Sequence, residues 1–150
     1  MATDIESAIY SHLTGTTDLV SQVSTRIYPN RAPQDAARPF ISYRRISTTN
    51  QHDLGGALGM TRPTFEFTVV GGRDASNYQI SYSTVKTISN LLRTHLDGYQ
   101  GLLQSVGVRS ITHINTSDDY IAPADGDDKG THLVESDYQV WLTESIPNFS

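Results

Sequence analysis

The stretch Pro63–Gly72, PTFEFTVVGG, alternates apolar and polar residues with a period of two. Successive side chains of a strand point to opposite faces, so Phe65, Phe67 and Val69 are directed into a core while Glu66 and Thr68 face away. A strand buried on one face belongs to a sheet covered on one side, which favours antiparallel pairing over the continuous apolar strands of a doubly covered parallel sheet.

The other segments arrange themselves around this strand. Ile5, Ile9 and Leu13 recur at helical spacing with Ala8 and His12 beside them; Thr3 and Glu6 form a capping-box pattern, and Gly15 ends the helix. A short second helix follows, with Thr17 as its cap and Leu19, Val20 and Val23 as its apolar side. Arg26–Pro29 is a brief strand, and Pro39–Ser47 a longer one with Ile41 and Tyr43 on one face and Phe40, Arg44 and Ile46 on the other. Residues 50–62 contain three glycines and read as a long loop or an extended hairpin arm.

The longest helix spans about Ala75 to Leu96, with a stripe of Tyr78, Tyr82, Val85, Ile88, Leu92 and Leu96, and Asp97-Gly98 closes it. In the next strand Val106, Val108, Ser110, Thr112 and Ile114 share one side, opposite Arg109, Ile111 and His113. Ser117–Gly130 reads as a polar loop. In the last strand Val134, Tyr138, Val140 and Leu142 oppose Glu135, Asp137, Gln139 and Trp141. The order α-(α)-β-β-β-α-β-β, with strands in runs, predicts a single α+β domain over residues 1–150: a mainly antiparallel sheet with helices packed on one face.

Catalytic chemistry has little to stand on. The chain has no cysteine, which excludes disulfides, thiolate metal sites and a thiol nucleophile. His12, His52, His95, His113 and His132 form no metal-ligand spacing, and no G-x-S-x-G is present. The glycine-rich LGGALG lacks the strand-to-helix setting and Lys-Ser/Thr ending of a phosphate cradle. The run from Ser117 to Gly130 carries Asp118, Asp119, Asp125, Asp127 and Asp128 but no glutamate at the twelfth position of a calcium loop. No metal, cofactor or catalytic residue is therefore assigned, and a small metal-dependent enzyme is the weakest alternative. The net charge of −5 opposes nucleic-acid binding. The amphipathic start MATDIESAIYSHL lacks a signal peptide's basic and apolar regions, and no apolar run has the length of a membrane span, so a soluble chain with no membrane partner is expected.

What remains is assembly. Arg26, Arg31, Arg38, Arg44 and Arg45 gather within a short stretch, while acids concentrate late in the chain. These are either ordinary surface arginines or the basic edge of a chain that docks head-to-tail on itself, with Arg31, Arg38, Arg44 and Arg45 as candidate interface residues. The aspartates are either a solvated loop or the acidic lining of a lumen, which would repel DNA phosphates. His52, Asp53, Leu54, Leu58 and Met60 are candidate contacts on the glycine-rich arm. Pro29, Pro33 and Pro39 stiffen the crossing between two strands into a fixed wall, expected near a neighbouring subunit.

The passage IESAIYSHLTG…LVSQVSTRIYPNRAPQDAARPFISYRRIS closely resembles the opening of the tail-completion, or tail-terminator, family of long-tailed bacteriophages. Its marks are Arg26-Ile27-Tyr28-Pro29, Ala32-Pro33 and Pro39-Phe40-Ile41-Ser42-Tyr43. The resemblance covers about residues 4–143 and is architectural after the first third. It implies a virion protein of the tail or neck, assembled in the host cytoplasm. As a ring, usually hexameric, it would cap the tail tube, end its polymerisation and join tail to head. The implied partners are other copies of itself, the tail tube protein and a head-completion or connector protein, with DNA passing through the lumen without specific binding. A connector-side head-closure or adaptor protein is the alternative.

Overall fold

The computed structural model describes residues 5–33, 39–53, 56–71, 78–103, 106–121 and 131–143. Helices α1 (Ile5–Thr14) and α2 (Thr17–Val23) open the chain. They are followed by β1 (Ile27–Pro29), β2 (Phe40–Asp53), β3 (Gly56–Val70), α3 (Tyr78–Leu96), β4 (Gly101–Leu103), β5 (Val106–Ile121) and β6 (Thr131–Thr143). The α+β class is as expected. The order differs by the short β4, which is too brief to leave a periodic signal.

Among the described residues one six-stranded sheet runs β1-β2-β3-β6-β5-β4. It is mixed: β1 lies parallel to β2, while β2–β3, β3–β6, β6–β5 and β5–β4 are antiparallel. Between Pro29 and Phe40 the chain makes a crossover rather than a hairpin, and a crossover returns it in the same direction. Helix α1 touches both β1 and β4, the two edges of the sheet, so the sheet curls around its helices.

The concave face carries one core. Ile5, Ala8, Ile9 and Leu13 of α1, Leu19 and Val23 of α2, and Val85, Ile88, Leu92 and Leu96 of α3 pack on the inward residues of the strands. At its centre the Tyr43 ring stacks on Phe67 (5.2 Å, 23°), and Phe67 meets Tyr138 edge-on (5.4 Å, 86°). The buried Tyr43 hydroxyl donates to the Glu6 carbonyl at 2.6 Å and ties β2 to α1.

Several local expectations are corrected. Thr17 is the first residue of α2 and Thr16 occupies the cap position. The Thr16 hydroxyl donates back to the His12 carbonyl, so the Leu19 N–H is taken by the Asp18 carboxylate instead. Val20 is only half-buried and Tyr82 is exposed, so the apolar stripe of α3 is narrower than its sequence spacing implied. The capping residue Thr3 and the start of the long helix before Tyr78 lie outside the described residues. Gly98 does take the left-handed conformation (φ 83°) that closes α3.

In β5 the alternation breaks. A register shift between Val108 and Ser110 inserts one residue, so Val108 and Ile111 both reach the core, whereas Ile114 is 49% exposed. A bulge does this because the side-chain period is two and one extra residue exchanges the faces. The polar loop is also shorter than expected: β5 continues through Ser117–Ile121, paired to β6.

Tyr43→Phe removes one buried hydrogen bond without opening a cavity. It is expected to cost about 1 kcal/mol, whereas Tyr43→Ala, which also empties the ring's place, costs about 3–5 kcal/mol. Urea denaturation followed by circular dichroism reads both; no loss for Tyr43→Phe would mean that the hydroxyl does not anchor α1.

Candidate assembly surfaces

The arginines divide by local geometry. The Arg26 Nε–H donates to the Pro39 carbonyl at 2.8 Å, and its own carbonyl accepts the Ile41 N–H, so Arg26 fixes where β2 begins beside β1. Arg31 stands exposed just beyond β1, after Asn30 in a left-handed conformation (φ 71°). Neighbouring strand residues point to opposite faces, and this separates the next two. Arg44 lies on the convex face, 3.5 Å from Glu66 and largely exposed, where such a pair adds little stability. Arg45 turns to the helical side, 2.7 Å from Glu6, with its guanidinium 5.7 Å from the Phe65 ring centre. Arg38 lies outside the described residues. Arg44 and Arg45 therefore share an edge of the sheet but not a face.

The expected acidic loop is corrected in the same way. Asp118 and Asp119 sit on β5, not in a loop, and Asp125, Asp127 and Asp128 fall outside the described residues. Asp118 pairs with the Lys86 ammonium at 3.0 Å and accepts from the Tyr82 hydroxyl at 3.1 Å. The hydrogen bond from Lys86 is the main cause that holds the Asp118 carboxyl below its ordinary pKa. Asp119 is exposed, and its carboxylate accepts the N–H of Tyr120.

Of the arm residues, His52 and Asp53 end β2, Leu58 and Met60 lie at the start of β3, and Leu54 is outside the described residues. The alternative of an extended hairpin is the one observed. The ladder between β3 and β6 begins at Met60–Thr143, while β2 and β3 pair with each other as far as Asp53–Gly56. The two strands thus run past the end of β6 as a two-stranded extension.

A convex-face feature escaped the sequence reading. Glu66 of β3 lies directly opposite Asp137 of β6; Glu135 lies opposite Thr68 and Ser117, with Asp119 two residues further along β5. Partial burial pushes the Glu135 carboxyl up, and the charges of Glu66, Asp119 and Asp137 push it further, against Arg44. The result is a band of carboxylates across three strands. Further along the same face the Arg62 guanidinium lies 4.4 Å from the centre of the Trp141 ring, a cation–π contact. The outward alternation of Glu66, Glu135 and Asp137 was legible, but that β3 and β6 are neighbours was not.

Four histidines, His12, His95, His113 and His132, make structural contacts. His12 Nε2 meets the His95 carbonyl at 3.1 Å, and His95 Nε2 meets the Asp18 carboxylate at 2.9 Å, linking all three helices. His113 bonds to Thr116, and His132 packs against the rings of Tyr82 and Tyr120. Among the described residues no three His, Asp or Glu side chains converge on a metal site. No helix among them is long and apolar enough to cross a membrane. A shallow cleft between α1 and β1 is lined by hydroxyl and apolar side chains, including Ser7, Tyr10, Ile27 and Tyr28.

Known proteins resemble this chain at two levels. The profile of a family described as tail completion protein gp17 matches residues 7–143. No curated protein matches the chain. Among solved structures, a chain from the virion of a native gene transfer agent particle shares the fold with a TM-score of 0.64 at 16% identity. The match covers 93% of this chain and 94% of that one.

The acidic band sets a pH dependence. Because the folded Glu135 carboxyl titrates above its unfolded value, its stabilising contribution is fully present below the ordinary carboxylate range and is lost as pH rises through the folded value. Glu135→Gln is expected to stabilise the fold at pH 7 by up to about 0.5 kcal/mol. The gain should fade below pH about 4, where the glutamate is protonated in both states. Urea midpoints at the two pH values decide this; a loss at pH 7 contradicts the repulsive band.

Proposed function

The chain belongs to the tail completion protein gp17 family, a family of phage tail structural proteins, and on that footing we propose that it works as a tail terminator. Several copies form a ring, expected to be hexameric, on the last ring of the tail tube. One face of the ring matches the tube, and the other cannot accept a further tube subunit but presents a surface to a head-completion or connector protein. The work done is geometric: growth stops because the exposed surface has changed. DNA passes through the lumen without being read.

The observation that carries this reading is the family match across residues 7–143, which takes in every described helix and strand except the first two residues of α1. Three structural features support it. The sheet edges carry charges of opposite sign, which suits a head-to-tail contact. The β2–β3 extension gives each copy a projecting two-stranded arm suited to reach a neighbouring layer. The side chains that in an enzyme would converge are instead spread over ion pairs and helix contacts.

Particles assembled without this protein are expected to carry tails of irregular length that do not join heads. Removing residues 52–58, beyond the Met60–Thr143 pair, should leave the domain folded by circular dichroism yet reduce joining at least tenfold. Negative-stain electron microscopy of tail lengths and head–tail joining reads both. Normal tails and normal joining without the protein contradict the proposal.

A further inference from the structure

Among the described residues the sheet leaves two long edges open. Strand β1 covers β2 only at Ile41–Tyr43, and among the described residues no strand lies beside β2 from Arg44 to Asp53. At the other side β4 covers β5 only at Val106–Val108; Gly98 and Tyr99 then bond to Ile111, and the Asp97 carboxylate takes the His113 N–H. From Ile114 to Ile121 no described strand lies beside β5. Each open edge is at least eight residues long, about 27 Å at strand rise.

Exposed apolar side chains gather on these edges. Ile46 is 42% exposed on β2, and Ile114 and Tyr120 are 49% and 41% exposed on β5. The edges also differ in net sign: the open part of β2 carries Arg44 and Arg45 against Asp53, and that of β5 carries Asp118 and Asp119. Open edges invite pairing, and bulges and charges are the usual means of restricting it. Both edges have a bulge, between Arg45 and Ser47 on β2 and between His113 and Asn115 on β5. The charges then select the partner. Two β2 edges would set arginines against arginines, and two β5 edges aspartates against aspartates; β2 against β5 sets opposite charges together and brings Ile46 towards Ile114 and Tyr120.

We propose that copies of this chain join by strand pairing, the open β2 edge of one against the open β5 edge of the next, so that the sheets run on from protomer to protomer. The contact is heterologous: each copy uses both edges once, and repetition closes a ring or continues as a filament. Backbone hydrogen bonds supply the attraction and the charged residues supply the direction. This rests on the ring-forming function proposed above and names the surface that builds the ring.

The absence of cysteine makes the contact directly testable. Ser47 and Ser117 are exposed, one on each edge. Particles assembled with the S47C/S117C double variant are treated with a short bis-maleimide. The expected product is a ladder of covalent multimers beyond the dimer, with neither single variant giving more than a tenth of that cross-linking. As a second arm, R44E and D119K should each reduce incorporation into particles about tenfold, and R44E/D119K together should restore most of it. Efficient dimers from S47C alone or S117C alone would show symmetric pairing and overturn the proposal. Particles that contain the double variant but yield no multimers would overturn edge pairing and leave the terminator function standing. Absence of the wild-type protein from particles would overturn both.

Discussion

One-sided burial governs this molecule, and it is most concentrated where Tyr43, Phe67 and Tyr138 meet across β2, β3 and β6. Aromatic rings of this size fill the space between sheet and helices, and their offset and edge-on contacts allow few alternatives in register. The Tyr43 hydroxyl then fastens α1 over the same point through the Glu6 carbonyl. Because α1 also reaches both β1 and β4, the helix that covers the core sets the curl of the sheet. That curl makes one face a sealed interior and leaves the other face and both edges for use.

The surface left over is unequal in charge. Arginines stand near the β1–β2 edge, aspartates near the far edge of β5, and a carboxylate band crosses the convex face between them. Much of this charge is engaged internally, Arg45 with Glu6 and Asp118 with Lys86, through exposed pairs that contribute little to folding. Such pairs can be exchanged for pairs with a neighbour at small cost in stability. The proposed terminator role would use that property to make contacts between copies selective.

The sequence made the core legible where periodicity was unbroken. Phe65, Phe67 and Val69, and Val134, Tyr138, Val140 and Leu142, are buried as their alternation required, and Val85, Ile88, Leu92 and Leu96 as their helical spacing required. It misled at β5, where a bulge after Val108 exchanged the faces and brought in Ile111. It also read Asp118 and Asp119 as loop because polar strand residues resemble loop when the partner strand is unknown. Pairing is the information that a local pattern lacks. The parallel β1, the convex acidic band and the open edges are all products of which strands became neighbours. The charge asymmetry was visible beforehand, but the two arginines it grouped, Arg44 and Arg45, point to opposite sides.

As proposed, this chain ends the tail as a ring of identical subunits. An electron cryomicroscopy reconstruction of the intact neck tests it most directly. The expected reconstruction shows a closed ring of this domain at the head-proximal end of the tail tube, with density continuous between β2 of one subunit and β5 of the next. A reconstruction that places the protein elsewhere in the particle, or at that position as isolated copies, contradicts it.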